Sequence, residues 1–108
     1  MAKTIMAVFT NPASAEAEDE YNRWYDEVHV KELLTVPGVL SASRYRLSDG
    51  GHGETSDHRY LAIYELDADP NTVLGRLASH TTPPPAALDA AGARIYFWEP
   101  IGSTAPDQ

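Results

Sequence analysis

The sequence has 108 residues, of which 43% are hydrophobic and 22% charged, and this size and composition predict one globular domain covering residues 1–108. Sixteen acidic against eight basic residues give a formal charge of −8, which disfavours nucleic acid and anionic membrane surfaces as partners. The absence of cysteine excludes disulfides, thiolate nucleophiles and cysteine-ligated metal centres.

The N-terminal stretch predicts a first strand. Residues 3–10, KTIMAVFT, are rich in apolar and β-branched types and end at the turn pair Asn11-Pro12. The stretch lacks a long apolar region followed by a small-residue cleavage site, so we recognise no export signal. No apolar run approaches the roughly 20 residues that span a bilayer. We therefore expect a cytoplasmic protein that does not associate with membranes.

An acidic helix follows the first strand. Residues 15–28 are helix formers, and the spacing i, i+3, i+4, i+7 of one helix face is occupied by Tyr21, Trp24, Tyr25 and Val28. Ser14 or Asn11 is a candidate cap for its start. Leu33 and Leu34 predict a further short turn, which Pro37-Gly38 ends.

The remaining chain predicts two strands, a second helix and a last strand. Residues 39–47 and 58–66 form the strands, joined by the Gly-rich loop SDGGHGETSD. In the first of them, one side is expected to carry Val39, Ser41, Ser43, Tyr45 and Leu47. Asp69 caps the second helix, with Pro70 at its first position, and its inward residues are expected to be Val73, Leu74 and Leu77. Residues 93–99, ARIYFWE, form the last strand.

The order β-α-β-β-α-β predicts a ferredoxin-like α+β fold, in which a four-stranded antiparallel sheet carries both helices on one face. The last two strands have apolar or aromatic residues on both sides, but the chain has helices for only one face. We therefore expect a homodimer in which the uncovered faces pack together as a barrel. In the alternative, residues 81–92 and the C-terminal tail cover the second face.

His29 is the main candidate for chemistry. On a helix it lies one turn after Tyr25, with Trp24 beside it, so an imidazole, a phenol and an indole can share one pocket wall. A neutral imidazole near pH 7 can take a proton from an activated carbon and return it elsewhere. Asp26 or Glu32, each three residues away, can orient the ring or raise its pKa. Alternatively, the histidine caps the helix C-terminus and both aromatic residues belong to the core.

Several polar and aromatic residues are candidates for substrate binding. Arg44 and Arg46 share one face of their strand and, inside a barrel, can hold a carboxylate or enolate; on an exposed face they are only solvated. Asn11 can donate to a substrate oxygen or form an Asx-turn before Pro12. A flat aromatic ligand, or equally a dimer partner, can contact the aromatic residues Tyr60, Tyr64, Tyr96 and Trp98.

The histidines do not predict a metal site, because no close ligand spacing relates His29, His52, His58 and His80. We therefore expect no metal and no obligatory cofactor. Haem remains open as a ligand through one histidine in a barrel cavity. The loop sequence GGHG is not a phosphate loop, because no helix follows it.

Four stretches carry a family resemblance. They are Asn11-Pro12, then Tyr21-x-x-Trp24-Tyr25-x-x-x-His29, then Val36-Pro37-Gly38 running into Arg44-Tyr45-Arg46-Leu47, and finally Tyr96-Phe97-Trp98-Glu99-Pro100-Ile101-Gly102. In this pattern the chain resembles the dimeric α/β-barrel superfamily and, within it, the small EthD-like proteins. Lys31 departs from the pattern, since similar sequences have a proline there.

The resemblance implies a dimer with a small-molecule pocket between sheet and helices in each subunit. Such families include cofactor-independent monooxygenases, muconolactone-type isomerases, polyketide cyclases and dehydratases, and haem-binding relatives. We therefore carry two hypotheses. In the first, a cofactor-independent enzyme uses His29 as acid and base on a small cyclic or aromatic metabolite, with Tyr25, Trp24 and Asn11 shaping the site. In the second, a non-catalytic protein binds haem or a metabolite.

Overall fold

The structure is a computed structural model that describes residues 3–51 and 55–106. Its elements in chain order are β1 (Thr4–Thr10), α1 (Glu18–Trp24), a π-helical turn (Tyr25–His29, the π turn), α2 (Val30–Leu33), β2 (Val39–Arg46), β3 (Tyr60–Leu66), α3 (Pro70–His80) and β4 (Arg94–Trp98). The strands form one antiparallel sheet in the order β2-β3-β1-β4. The predicted ferredoxin-like α+β fold is confirmed.

β1 organises the sheet, because it is hydrogen-bonded on both sides. Met6 lies opposite Tyr64 in β3 and Phe97 in β4, so these three side chains project from the same face. Ala7 lies opposite Tyr96 and projects from the other face. The helices cover the face of Met6, which we call the helix face. The opposite face, which carries Tyr96, is the open face.

The core lies between the helix face and the helices. Its largest fully buried side chains are Met6, Tyr21, Tyr25, Val36, Tyr64, Leu66 and Val73. Removing one large apolar side chain from water contributes roughly 1.5–3 kcal/mol, so this cluster supplies the main favourable term for folding. Tyrosine hydroxyls are also buried there, and the hydroxyls of Thr10 and Tyr21 share a hydrogen bond of 2.5 Å.

α1, the π turn and α2 form one continuous helical segment over residues 18–33. Neither Ser14 nor Asn11 caps it, because the helix begins later than predicted and Ala17 occupies the cap position. In the π turn, the amide of Val30 donates to the carbonyl of Tyr25, five residues back. The turn is therefore wider than an α-helical one. The predicted placement of Val28 on the buried stripe is wrong, because this wider turn leaves Val28 exposed.

A β-bulge changes the faces of β2. Val39 lies opposite Leu66 and Ser41 lies opposite Glu65, so Leu40 is an extra residue between them. Val39 therefore projects from the helix face and is buried, whereas Ser41 projects from the open face. The prediction that Val39 and Ser41 share a side is wrong for this reason.

α3 begins as predicted, because the Asp69 side chain accepts a hydrogen bond from the amide of Asn71 at 3.0 Å and Pro70 occupies the first turn. Val73 is fully buried, but Leu74 is exposed, so its predicted inward position is wrong. Only one stripe of this helix meets the core. Among the residues that the structure describes, no helix is long and apolar enough to cross a membrane.

The open face has no covering layer in the described part of the chain. Its aromatic residues Tyr45, Tyr96 and Trp98 are 53%, 49% and 56% exposed. The segment 81–92 runs elsewhere: the Ala87 side chain joins the helix-side core, and its carbonyl accepts a hydrogen bond of 2.7 Å from the Ala13 amide. The alternative in which this segment covers the open face is therefore wrong.

Candidate functional site

The π turn brings three rings of the predicted site together. The Trp24 and His29 rings stack, with centroids 4.7 Å apart and planes 20° apart, and Tyr25 meets the His29 ring edge-on at 5.2 Å. π-helical turns are rare and are often found at functional sites. The imidazole is therefore held between an indole and a phenol.

Glu32 links His29 to the segment after α3. His29 Nδ1 lies 3.4 Å from Glu32 Oε1, and both atoms are buried without a hydrogen-bond partner among the described residues. The other carboxylate oxygen, Oε2, accepts hydrogen bonds from the Thr82 amide at 2.8 Å and the Thr82 hydroxyl at 2.7 Å. We call this arrangement the His29–Glu32–Thr82 chain. Sequence reasoning named Glu32 but missed Thr82, since nothing in the local pattern relates two residues so far apart.

Burial and hydrogen bonding determine the charges of this pair. Burial lowers the pKa of His29 below its ordinary value and outweighs the opposing influence of Glu32. Burial acts to raise the pKa of Glu32, but the hydrogen bonds from Thr82, with His29, outweigh it and lower that pKa. Near neutral pH the site therefore holds a neutral imidazole beside a carboxylate. Such an imidazole can accept a proton or bind a metal ion.

The accessible nitrogen of His29 is Nε2. Of the two ring nitrogens only Nδ1 is fully buried, and Nε2 makes no hydrogen bond to the residues described. A proton on Nδ1 would face the carboxylate of Glu32, which leaves the lone pair on Nε2. Nε2 is thus the ring nitrogen that can meet a proton donor or a metal ion.

Arg44 contacts other residues of the protein through its guanidinium group. Its guanidinium donates to Asp26 Oδ1 at 2.7 Å and to Asn22 Oδ1 at 2.9 Å, and its side chain is 15% exposed. It also lies over tyrosine rings, the nearest being Tyr25 at 4.4 Å. These contacts occupy one donor on each terminal nitrogen of the guanidinium, the two nitrogens with which an arginine would grip a substrate carboxylate. They also explain why Asp26 does not orient His29.

Tyr64 and the aromatic residues of β4 do not line a common wall. Tyr64 is on the helix face and fully buried, whereas Tyr96 and Trp98 are on the open face. The prediction that they contact one ligand is wrong, because Tyr64 lies opposite Met6 whereas Tyr96 lies opposite Ala7, so the two rings project from opposite faces of the sheet. Burial raises the pKa of Tyr64, and it raises that of Tyr25 to about 12, so both hydroxyls stay protonated at neutral pH.

Asn11 joins the end of β1 to the segment before β3. Its Nδ2 donates to the Asp57 carbonyl at 2.8 Å, and its Oδ1 accepts from the Arg59 amide at 2.7 Å. Both ends of the amide are therefore bound to backbone, and the predicted Asx-turn does not form. Asn11 positions Arg59 rather than approaching His29.

Three surface cavities lie away from His29. The first, of about 290 Å³, is beside the connection between β2 and β3 and includes Phe9 and Tyr45; we call it the hairpin cavity. A second, of about 470 Å³, includes Asn11. A third, of about 330 Å³, includes Arg46, which is exposed on the helix face. His29 lines none of the three.

His58 and His80 have partners of their own and do not bond to each other or to His29. His58 Nε2 is 2.7 Å from the Gly92 carbonyl, and His80 Nδ1 is 3.2 Å from the Thr35 hydroxyl. In residues 3–51 and 55–106, no three His, Asp or Glu side chains come together as a metal-ion site. His52 lies outside the described residues.

Comparison with known proteins identifies the fold. No protein-family model and no curated protein matches the chain. HapK from Hahella chejuensis superposes with a TM-score of 0.61 at 11% identity, covering 97% of this chain and 99% of that chain. MhuD from Mycobacterium tuberculosis, a heme-degrader with two hemes bound in its active site, gives a TM-score of 0.61 at 16% identity, covering 94% of this chain and 99% of that one.

A mutant of MhuD with two manganese protoporphyrin IX molecules per active site gives a TM-score of 0.57 at 13% identity, covering 95% of this chain and 99% of that chain. At such low identity the similarity shows a shared fold and nothing finer. That fold is the ferredoxin-like α+β fold. The resemblance to the dimeric α/β-barrel superfamily stays a prediction. The narrower resemblance to EthD-like proteins stays a prediction.

Proposed function

We propose that this protein binds a planar, conjugated small molecule of the haem class, with His29 as the residue that contacts the centre of the ligand. The His29–Glu32–Thr82 chain carries the proposal, because it holds an imidazole with one accessible nitrogen. Two structures of the same fold contain haem or manganese protoporphyrin IX, which supports this ligand class. The proposal replaces the expectation of a protein without a cofactor.

The residues around His29 suit such a ligand. A metal-binding imidazole must be neutral, and burial lowers the pKa of His29. A carboxylate behind the imidazole, as Glu32 is, fixes the ring and increases its basicity. Trp24, which is only partly buried and stacks on the His29 ring, adds aromatic surface of the kind that flat ligands contact, whereas the buried Tyr25 supports the imidazole from the core side. Haem, if bound, would supply an iron centre for redox chemistry, and His29, with Glu32 behind it and Trp24 beside it, would hold it.

A hemin titration tests the proposal. Adding hemin to the parent protein should give a saturable, sharp visible absorption band that His29→Ala abolishes. Glu32→Gln keeps the size of the side chain but removes its charge, and it should weaken hemin binding by about 10–100-fold, the usual effect of losing such a supporting carboxylate. Circular dichroism checks that each variant is folded.

His80→Ala is the matched control, because the His80 ring is also partly exposed and bonds only to the Thr35 hydroxyl among the described residues. The proposal requires this variant to bind hemin as the parent does. If the absorption band were lost in His80→Ala but kept in His29→Ala, His80 rather than His29 would bind hemin and the proposal would be contradicted. Equal binding by all variants would show adsorption without a specific residue.

The second candidate is a cofactor-independent enzyme of the isomerase, cyclase, dehydratase or monooxygenase type. The neutral state of His29 favours it, since a general base must be unprotonated and Glu32 stabilises the imidazolium formed. The protein should then catalyse hydrogen–deuterium exchange in heavy water at the acidic carbons of some small cyclic ketones or lactones, and NMR can measure this exchange. Exchange that persists in His29→Ala would contradict this role.

We also propose that the open face forms a homodimer interface. Tyr45, Tyr96 and Trp98 expose more aromatic surface on one face than single scattered residues would. Light scattering should give twice the subunit mass for the parent and a monomer for Trp98→Glu. Leu34→Glu, at another exposed apolar position, should remain dimeric. A monomeric parent at micromolar concentration would contradict the proposal.

A further inference from the structure

A row of aromatic rings leads from His29 through the core. The Tyr25 ring lies 5.2 Å from the His29 ring and 5.6 Å from the Tyr21 ring, measured between centroids. The Tyr21 ring in turn lies 5.1 Å from that of Tyr60. Trp24 joins the row beside His29, because its ring lies 5.4 Å from Tyr25. Each step is a direct ring contact. We call Trp24, Tyr25, Tyr21 and Tyr60 the aromatic row, and an electron can pass along it in short steps.

Tyr60 ends the aromatic row beside a base. Its hydroxyl donates to Glu18 Oε2 at 2.5 Å and accepts from Asn22 Nδ2 at 3.1 Å. The hydrogen bond from Tyr60 is the main cause that lowers the pKa of Glu18, so this residue is a carboxylate at neutral pH. The contact is short enough for direct proton transfer. Tyr60 and Glu18 also line the third cavity, so solvent reaches this end of the row.

The inner tyrosines of the row lack such a base. The Tyr21 hydroxyl shares its hydrogen bond with the neutral Thr10 hydroxyl, and burial raises the pKa of Tyr21 and that of Tyr25. The Arg44 guanidinium lies 4.4 Å from the Tyr25 ring centroid and 5.6 Å from that of Tyr21, so its charge repels a ring that has lost an electron. A phenol that loses an electron becomes a strong acid, and at Tyr60 the proton has an acceptor. The electron is therefore lost most readily from Tyr60.

We propose that Tyr60 is a redox-active residue that donates one electron, through Tyr21 and Tyr25, to an oxidised group at the His29 site. The O–H bond of Tyr60 breaks, its proton binds Glu18 Oε2, and a neutral phenoxyl radical remains on Tyr60 while the oxidised group gains the electron. That group is the Trp24 indole after attack by a one-electron oxidant, or a bound iron porphyrin after oxidation by a peroxide. The porphyrin case rests on the function proposed above.

Pulse radiolysis tests the row without any ligand. Azide radicals oxidise indoles in preference to phenols, and Trp98→Phe leaves Trp24 as the only tryptophan of the chain. In this background, the absorption of the indolyl radical should convert into that of a phenoxyl radical at a rate independent of protein concentration. Adding Tyr60→Phe or Glu18→Gln should slow the conversion at least about tenfold, because the proton donor or its acceptor is then missing.

Two matched controls change similar groups outside the row. Tyr64→Phe removes a buried hydroxyl that has no partner among the described residues, and Asp19→Asn removes an exposed acid next to Glu18. Both should convert at the rate of the Trp98→Phe background. The inference would be overturned by an unchanged rate in Tyr60→Phe or Glu18→Gln, or by equal slowing in the controls. Circular dichroism checks that every variant is folded.

Electron paramagnetic resonance separates this inference from the proposed function. In protein that has bound hemin, hydrogen peroxide should produce a phenoxyl signal that Tyr60→Phe loses and Tyr64→Phe keeps. Bound hemin with no phenoxyl signal, or with the same signal in Tyr60→Phe, would overturn the inference and leave hemin binding intact. A protein that binds no hemin but still converts the Trp24 radical through Tyr60 would contradict only the proposed function.

Discussion

Replacing Arg44 with methionine should destabilise the fold, because the guanidinium connects α1 and the π turn to the sheet. It donates to Asn22 and Asp26, and three tyrosine rings lie within 5.6 Å of it. Methionine retains the apolar stem of the side chain and removes only the charged group. The free energy of unfolding then reports the guanidinium contacts rather than a cavity.

The magnitude follows from the exposure of each partner. A hydrogen bond to a charged group contributes about 1.5–3 kcal/mol when buried, which applies to the part-buried Asn22. Asp26 is 62% exposed, so its ion pair contributes at most about 1 kcal/mol. Contact with the tyrosine rings adds about 1 kcal/mol. We expect Arg44→Met to lower the free energy of unfolding by about 3 kcal/mol.

Urea unfolding followed by tryptophan fluorescence measures this loss. With a denaturant slope of about 1.5 kcal/mol per molar urea, the midpoint should fall by about 2 M. Arg46→Met is the matched control: it lies on the same face of β2, is exposed, and should change the free energy by less than about 0.5 kcal/mol. If Arg44→Met matched this control in stability while losing ligand binding, Arg44 would be a binding residue and the structural argument would be refuted.

Four further substitutions test other parts of the account. The pKa of His29 in the folded protein is below its unfolded value of 6.5. Below pH 6.5 the unfolded chain therefore binds a proton at His29 more readily than the folded protein does, so the free energy of unfolding should be constant above that pH and decrease below it. His29→Phe should reduce the decrease measured by urea unfolding between about pH 7.5 and about pH 5.5; an unchanged decrease would contradict the lowered pKa. Tyr64→Phe should leave the melting temperature unchanged or raise it, since the buried hydroxyl has no partner among the described residues, whereas a loss above about 1 kcal/mol would show that the hydroxyl is bonded. Gly38→Ala should lower the free energy of unfolding by about 1–3 kcal/mol, because Gly38 has a φ of 103° and a Cβ there would lie 2.7 Å from the Ala68 Cβ. Gly75 lies on α3 with open space around it, so Gly75→Ala should raise the free energy of unfolding by up to about 1 kcal/mol. Equal effects at the two glycines would contradict the backbone argument.

The fold could be predicted because several local signals agree with it. Asn11-Pro12 ends β1, Asp69-Pro70 begins α3, and alternating apolar residues mark the four strands. These signals depend on residues close together in the chain, so sequence periodicity contains them. The uncovered face followed in the same way, since the last two strands carry apolar or aromatic residues on both sides and the chain has helices for only one face.

The predicted site was less complete, because it depends on backbone irregularities and distant contacts. One extra residue in the π turn moves Val28 outward while keeping His29 against Trp24. One extra residue at the bulge moves Val39 inward. Neither insertion has a sequence signal as clear as a proline or a glycine.

Contacts between distant parts of the chain were equally hidden. Sequence analysis treated the Arg44 guanidinium as able to bind a substrate, but its hydrogen-bond partners lie on the helical segment about twenty residues earlier. Thr82 reaches Glu32 only because α3 ends beside α2. Pairings of this kind depend on tertiary structure, which periodicity alone does not specify.

The central claim is that His29 is a neutral imidazole, held by Glu32 and accessible at Nε2. A ¹⁵N NMR titration of the His29 ring reports its pKa and the nitrogen that carries the proton. The account predicts a pKa below 6.5 and a neutral ring protonated at Nδ1. A pKa at or above 6.5, or a proton on Nε2, would contradict it.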